Sequence, residues 1–122
     1  MEERIEKWLY DILAAIEDTE SFFGEKQKRY ADFVGDVRTR LAVERSIEII
    51  GEAMSRILKA DPAISITNAR KIVDTRNYII HGYDTLDANI IWGIIINHLP
   101  LLKTEIENLL AEYRPPATGI NV

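Results

Sequence analysis

Apolar side chains recur every three to four residues along most of this chain, which is the spacing of amphipathic helices. The first stripe runs over residues 2–22 and begins at Ile5, with further apolar residues 3, 4, 7, 8 and 11 positions later. Gly24 is predicted to end this helix, because glycine readily adopts the left-handed conformation found at helix ends. Residues 25–35 are rich in charge and are predicted to form a connector.

A second stripe predicts a longer helix over residues 37–60. Asp36 is expected to cap its first turn. The Asp61-Pro62 pair is expected to end it, because a residue before proline avoids helical backbone angles. Its predicted inward residues are Val43, Ile47, Ile50, Met54, Ile57 and Leu58. Its predicted outward residues are Arg40, Glu44, Arg45, Glu48 and Glu52.

A third, shorter helix is predicted to begin near Thr67 or Asn68 and to run to about Ile80. Gly82, two residues further on, offers a C-terminal cap. This helix is therefore predicted to lie in the chain between the helix over residues 37–60 and the last helix.

A fourth helix is predicted over residues 88–112, with Asp87 as its cap. Pro100 is expected to kink it, or to end one helix and begin another. The predicted inward residues are Ile91, Ile95, Leu99, Leu102, Ile106, Leu109 and Leu110.

Helices joined by short connectors predict an all-α fold, an antiparallel bundle of four to five helices. We expect one domain over residues 1–112 and a flexible tail over residues 113–122. Residues 90–96 are apolar nearly all round the helix, so one core cannot bury them all. Either the bundle dimerises through its helices, or a short fifth element covers the extra face.

Composition narrows the possible chemistry. The chain has 122 residues, is 47% hydrophobic and contains no cysteine. Thiolate metal sites, disulfides and a cysteine nucleophile are therefore excluded, and a cytoplasmic location is expected. The N-terminal residues lack the pattern of a signal peptide, and no apolar stretch is long enough to cross a membrane.

The net charge of −5 argues against a protein that is basic all over, but the charge is unevenly distributed. Residues 1–25 carry −6, whereas residues 26–45 carry +3 and residues 67–83 carry +2. The basic stretches are either solvated helix faces or the two walls of a basic cleft. Lys26, Lys28 and Arg29 in the connector equally fit a solvated loop or a path that guides a polyanion.

Reactive side chains are concentrated in residues 76–83. Asn77 and His81 lie four residues apart on one helix face, and Arg76 lies about 140° from His81 around the axis. The predicted helix end favours a protonated imidazole. Unwinding near Gly82 would bring Arg76 and His81 together as a phosphate site, although helix-terminal residues of these types are also common on ordinary surfaces.

The segment from Arg76 to Tyr83 resembles the Arg-x4-His-x-Tyr motif of the HepT-like toxins in the HEPN superfamily. The likeness extends to residues 42–53, which read AVERSIEIIGEA. It also extends to residues 87–92 with the Leu-Pro-Leu sequence that follows at 99–101. It covers most of residues 4–110.

The resemblance implies a homodimeric, metal-independent ribonuclease without a cofactor, the toxin of a type VII toxin–antitoxin system. Arg76 and His81 match the catalytic pair in a cleft at the dimer interface, and Asn77 matches a supporting polar position. Tyr83 matches the tyrosine that receives AMP from an MntA-type nucleotidyltransferase antitoxin. The alternative is a non-catalytic helical adaptor that binds a minimal nucleotidyltransferase or a nucleotide.

Other conspicuous side chains are expected to be structural. His98 is predicted to be a core or interface histidine, and Trp8 and Trp92 to be core or dimer contacts. The carboxylates on the outward face of residues 37–60 are expected to form salt bridges with neighbouring arginines rather than to bind metal.

Overall fold

Helices make up most of the chain that the structure describes. The computed structural model describes residues 3–24, 28–80 and 88–113, and within these ranges it contains no β-strand. The all-α prediction is therefore confirmed. The elements are α1 (Glu3–Phe23), α2 (Tyr30–Gly35), α3 (Val37–Ala60), α4 (Ala69–Ile80), α5 (Ala88–Gly93), a π-helical turn (Ile94–His98) and α6 (Leu99–Tyr113).

The predicted ends of the first two long helices are confirmed. Gly24 follows α1 with a φ of +59°, the left-handed conformation that favours glycine. Asp36 caps α3, because its Oδ1 accepts a hydrogen bond from the Thr39 backbone N–H at 3.1 Å. The Thr39 hydroxyl also donates to Asp36 Oδ2 at 2.7 Å, and this bond, together with the backbone bond, holds the pKa of the Asp36 carboxyl below its usual value. Asp61 ends α3, and its N–H donates to the Ile57 carbonyl at 2.8 Å.

The beginning of α4 is tied to α6 by side chains. The Thr67 hydroxyl donates to Glu105 Oε2 at 2.7 Å. Asn68 has a φ of +60° and its amide nitrogen lies 3.3 Å from His98 Nδ1. Gly82 and Asp87, the predicted cap residues on either side of the next connection, lie outside the described residues, as do residues 114–122 of the predicted tail.

The predicted connector over residues 25–35 contains one more helix than the sequence indicated. Tyr30–Gly35 forms α2, and Phe33 is its buried residue. Six residues are too few for an apolar period to be recognised, so this helix depends on tertiary contacts. Phe33 supplies them by packing against Trp92, with ring centroids 5.4 Å apart.

Pro100 is accommodated by a π-helical turn immediately before it. The Leu99 N–H donates to the carbonyl of Ile94, five residues back. Pro100 itself lies in the first turn of α6, where a missing N–H is tolerated. The predicted irregularity thus takes the form of a wider helical turn rather than an exposed break.

The core lies between α1, α3 and the last helix, with α4 packed against α3. The inward residues predicted from periodicity are buried, apart from Trp8, Leu13, Leu58 and Leu109, which are partly buried against the core. α1 and α3 run antiparallel, because Arg4 and Trp8 lie beside Lys59, whereas Phe22 lies beside Thr39 at the other end.

Some of the apolar side chains in residues 90–96 that the main core does not bury are covered by other parts of the same protomer. Trp92 packs against Phe23 of α1 and against Tyr30 and Phe33 of α2. The short additional element considered as an alternative to dimerisation is therefore present. Ile90 and Ile96 still expose 43% and 39% of their surface, and dimerisation stays a prediction.

Candidate active site

Arg76 lies where α3 and α4 approach each other most closely. A Cβ placed on Gly51 would overlap Arg76 Cβ and Cγ and would lie 3.3 Å from the Ile72 carbonyl oxygen. Gly51 is nine residues before the end of α3, and Arg76 is seven residues after the start of α4. This register makes the two helices an antiparallel hairpin whose close contact fixes the backbone beneath Arg76.

The guanidinium of Arg76 is held by its neighbour. Arg76 Nη1 donates to Asn77 Oδ1 at 2.9 Å, and both side chains are half-buried. Arg76 Nε is buried and has no hydrogen-bond partner among the described residues. Because the Asn77 amide is neutral, it orients the guanidinium without cancelling its charge. The arrangement leaves a positioned cation whose Nε is unpaired within the described part of the chain.

The structure reaches only the first half of the predicted motif. Arg76 and Asn77 lie in the last turns of α4, which ends at Ile80. His81 and Tyr83 lie outside the described residues. The predicted pairing of Arg76 with His81 therefore stays a prediction.

Two charged residues in the first half of α3 are less exposed than predicted. Arg40 and Glu44 were predicted to point outward, but both are half-buried. Glu44 lies two helical turns before Gly51 on the same face, about 10 Å along the axis. The sequence offered no signal for this half-burial, because a charged position in an amphipathic helix is interpreted as solvated.

Burial shapes the electrostatics of these two side chains. It raises the pKa of the Glu44 carboxyl; the Arg40 charge opposes this shift and Glu48 adds to it. Arg40 Nε is buried and, like Arg76 Nε, has no hydrogen-bond partner among the described residues. The first half of α3 thus carries two partly desolvated charged side chains.

The other carboxylates of the α3 face form ion pairs, as predicted. Arg56 Nη2 lies 2.9 Å from Glu52 Oε1, and Arg45 Nη1 lies 3.9 Å from Glu48 Oε2. No three His, Asp or Glu side chains within the described ranges stand close enough to hold a metal ion.

The remaining predicted residues have structural surroundings. His98 is half-buried, and burial together with the charge of Lys71 lowers the pKa of its imidazole. Lys28 Nζ lies 5.8 Å from the centre of the Phe23 ring, so its stem packs on α1, whereas Lys26 lies outside the described residues. No described helix combines the length and apolarity needed to span a bilayer.

Fold and site together define an all-helical domain that presents a positioned arginine at the end of a helical hairpin. The model of the Ribonuclease HepT-like family matches residues 12–109. The chain therefore belongs to the HepT-like ribonuclease family, as the motif predicted.

Individual relatives agree with this membership. The chain is 35% identical over 105 residues to a Methanocaldococcus jannaschii protein named "Putative RNase", a match that covers 84% of this chain and 94% of the relative. It is 34% identical over 106 residues to a Thermococcus cleftensis protein named "Probable ribonuclease HepT", covering 84% and 92%. No solved structure matches the chain.

Proposed function

We propose that this chain is a metal-independent endoribonuclease, the toxin of a type VII toxin–antitoxin system, with Arg76 and His81 as its catalytic pair. The observation that carries the proposal is that Arg76, in a chain of the HepT-like family, has a fixed guanidinium. Its Nε is buried and Asn77 holds its Nη1. A guanidinium fixed in this way keeps further donors for the oxygens of a phosphodiester.

In the proposed reaction, the 2′-oxygen of a ribose attacks the adjacent phosphorus and the bond to the 5′-oxygen breaks. His81 accepts the proton of the 2′-hydroxyl or donates a proton to the leaving 5′-oxygen. Arg76 stabilises the charge that develops on the phosphoryl oxygens. The products are a 2′,3′-cyclic phosphate and a free 5′-hydroxyl. Because the nucleophile is the 2′-hydroxyl, DNA is not a substrate.

A second copy of the chain is proposed to complete the cleft. Val37 and Leu41 in the first turns of α3 and Ile80 at the end of α4 expose 55%, 61% and 46% of their surface. Ile80 follows Arg76 by one turn on the same face of α4. Covering these side chains in a two-fold interface would bring two motif segments together. One His81 would then act as base and the other as acid.

Tyr83 is the proposed site of control. It follows His81 by two residues, so AMP attached to its hydroxyl would add bulk and a phosphate close to the catalytic pair in sequence. The phosphate would compete with the substrate for Arg76. The proposed enzyme is an MntA-like nucleotidyltransferase in the cytoplasm, which would transfer AMP from ATP to the Tyr83 hydroxyl and release pyrophosphate. Incubation with that partner and ATP should add the mass of AMP at Tyr83; AMP confined to other residues would contradict this step.

The test is cleavage of a single-stranded RNA by purified protein in the presence of EDTA. We expect fragments that end in a 2′,3′-cyclic phosphate, and no cleavage of the DNA of the same sequence. His81→Ala and Arg76→Ala should each abolish cleavage. His98→Gln is the matched control, because it replaces the other histidine of the chain. That histidine is hydrogen-bonded to Asn68, at the end of α4 opposite to Arg76.

Equal cleavage by the wild-type protein and the His81→Ala variant would overturn the catalytic assignment. RNA binding without cleavage would favour the alternative, a helical adaptor for a nucleotidyltransferase or a nucleotide. In cells, growth arrest when this chain is expressed distinguishes the ribonuclease proposal from the adaptor alternative. The ribonuclease proposal requires that His81→Ala, or co-expression of the nucleotidyltransferase, restores growth.

A further inference from the structure

A basic groove that contains an indole ring lies between the first turns of α1 and the last turns of α3. Its volume is about 380 Å³, and its lining residues are Arg4, Trp8, Arg56, Lys59 and Ala60. Three of these five residues are cations, and the groove is lined by no carboxylate from the described part of the chain. This concentration is unusual for a chain whose net charge is −5.

The cations and the ring are arranged together. The Arg4 guanidinium carbon lies 5.7 Å from the centre of the Trp8 ring, within the range of a cation–π contact. Trp8 is half-buried against the core, which holds the indole in place. The groove thus presents a fixed stacking surface beside Lys59.

The nearby carboxylates are already paired. A smaller depression of about 110 Å³ shares Trp8 and Arg56 with the groove and is also lined by Asp11 and Glu52. Lys7 Nζ lies 2.8 Å from Asp11, and Arg56 lies 2.9 Å from Glu52. These pairings reduce the repulsion that the two carboxylates would exert on an anion. Because Glu52 also offsets part of the Arg56 charge, Lys59 is the main cation for a phosphate in the groove.

Two other depressions on the described surface lack this combination. The one beside α2, about 480 Å³, includes Asp32 and Asp36 in its lining as well as Arg29. The one at the start of α4, about 500 Å³, contains Arg70 and Lys71 but no aromatic ring.

We propose that the groove lined by Arg4, Trp8, Arg56 and Lys59 binds the RNA substrate outside the catalytic cleft, with a phosphate on Lys59 and Arg56 and a base stacked at Trp8 and Arg4. This inference rests on the proposed ribonuclease function. A protein of net charge −5 repels RNA at long range, so its affinity must come from places where cations are concentrated. Aromatic rings and arginine planes are the surfaces on which unpaired bases stack.

The groove is separate from the surroundings of Arg76. Arg56 and Lys59 are five and eight residues beyond Gly51, or about 8–12 Å along the α3 axis. Arg56 also lies about 140° around that axis from Gly51. Substitutions in the groove therefore leave the contact between α3 and α4 intact, and binding there can be tested independently of catalysis.

The test uses the full chain with Arg76→Ala to prevent cleavage and Trp92→Phe to leave Trp8 as the sole tryptophan. Titration with an oligoadenylate of about eight nucleotides should quench the Trp8 fluorescence. Lys59→Gln should weaken binding about tenfold. It should also reduce the slope of log K against log salt by about 0.7, the value for one phosphate contact on a single strand.

Lys71→Gln is the matched control, because it removes the same charge from an exposed lysine of α4 that lies outside the groove. Thermal unfolding of each variant, followed by circular dichroism, verifies that the fold is retained. The groove is supported if Lys59→Gln weakens binding while Lys71→Gln leaves the affinity within twofold of the starting protein.

Three results would overturn the groove proposal, and they differ in what they leave standing. In the first, the anisotropy of a labelled strand shows RNA binding, but Trp8 fluorescence and the Lys59→Gln affinity are unchanged; the ribonuclease proposal then survives alone. Equal quenching by oligoglutamate and RNA would identify a surface for an acidic protein. An absence of all RNA binding and cleavage by the wild-type chain would reject both proposals.

Discussion

Gly51 of α3 lies directly against Arg76 of α4, with no room for a side chain at position 51. The contact involves the Cβ and Cγ of Arg76, atoms close to the backbone that cannot move away without moving the helix. The separation of α3 and α4 is therefore coupled to the position of the guanidinium. A small residue in the helical hairpin thus helps to set the geometry of the candidate active site.

Gly51→Ala should displace α4 and destabilise the fold by about 1–3 kcal/mol, the usual cost of overpacking. RNA cleavage should fall more than the folded fraction does, because Arg76 moves with α4. The measurements are the free energy of unfolding in urea and kcat/KM at a temperature where the variant is fully folded.

Gly93→Ala is the control for this substitution. A Cβ on Gly93 would meet nothing within 4 Å, and the residue has helical angles with a φ of −59°. Alanine there should stabilise the chain by about 0.5–1 kcal/mol and leave cleavage unchanged. An equal loss of stability in both alanine variants would show that the Gly51 contact has no special role.

Asn77→Ala should lower RNA cleavage about ten- to a hundredfold, because the Arg76 guanidinium loses the acceptor that orients it. The half-buried side chains contribute modestly to stability, so the free energy of unfolding should change by only about 1 kcal/mol. Asn77→Asp keeps an acceptor but neutralises the arginine, and should chiefly raise KM. Wild-type kinetics in both variants would remove Asn77 from the site.

His98 should make stability depend on pH. Burial lowers its folded pKa below the ordinary value of 6.5, so the unfolded chain binds a proton more readily than the folded chain does. Its contribution to stability is therefore fully present above pH 6.5 and is lost as the pH falls towards the lower folded pKa. Protonation of Nδ1 would also remove the acceptor for the Asn68 amide.

The free energy of unfolding, measured between about pH 7.5 and pH 5, should fall more steeply in the wild-type chain than in His98→Gln. Glutamine keeps an acceptor for Asn68 but cannot titrate in this range. Identical slopes for the two proteins would show that His98 titrates as it does in the unfolded state.

Leu41→Glu should disrupt the proposed homodimer. Leu41 exposes 61% of its surface in the single chain, so a charge there costs the protomer little but would be buried in a two-fold interface. Light scattering should report a monomer with unchanged helical circular dichroism, together with a loss of RNA cleavage. Arg38→Glu, at another exposed position of the same helix, is the matched control and should remain dimeric. A monomeric wild-type chain that cleaves RNA would contradict the shared cleft.

Much of the fold was predictable because long apolar periods dominate it. The limits of α3 follow from Asp36 and Asp61, which act locally through capping and the restriction before proline. α2 was missed because its six residues are held by a ring contact with Trp92, sixty residues away along the chain. Such a contact leaves no periodic trace in the local sequence.

The candidate site was predictable in part. Arg76 and Asn77 were selected by a motif, and their hydrogen bond joins adjacent residues. The half-burial of Arg40 and Glu44 could not be predicted, because a charged residue on an amphipathic helix is assigned to solvent unless another element is known to cover it.

The sequence by itself determined the helical class, the ends of α1 and α3 and the family, since each depends on local spacing, capping residues or a short motif. The tertiary structure alone decided which helix Gly51 meets, how Trp92 is covered and where cations gather around Trp8. These features join residues far apart in the chain. Close packing of whole helices, rather than any local preference, brings them together.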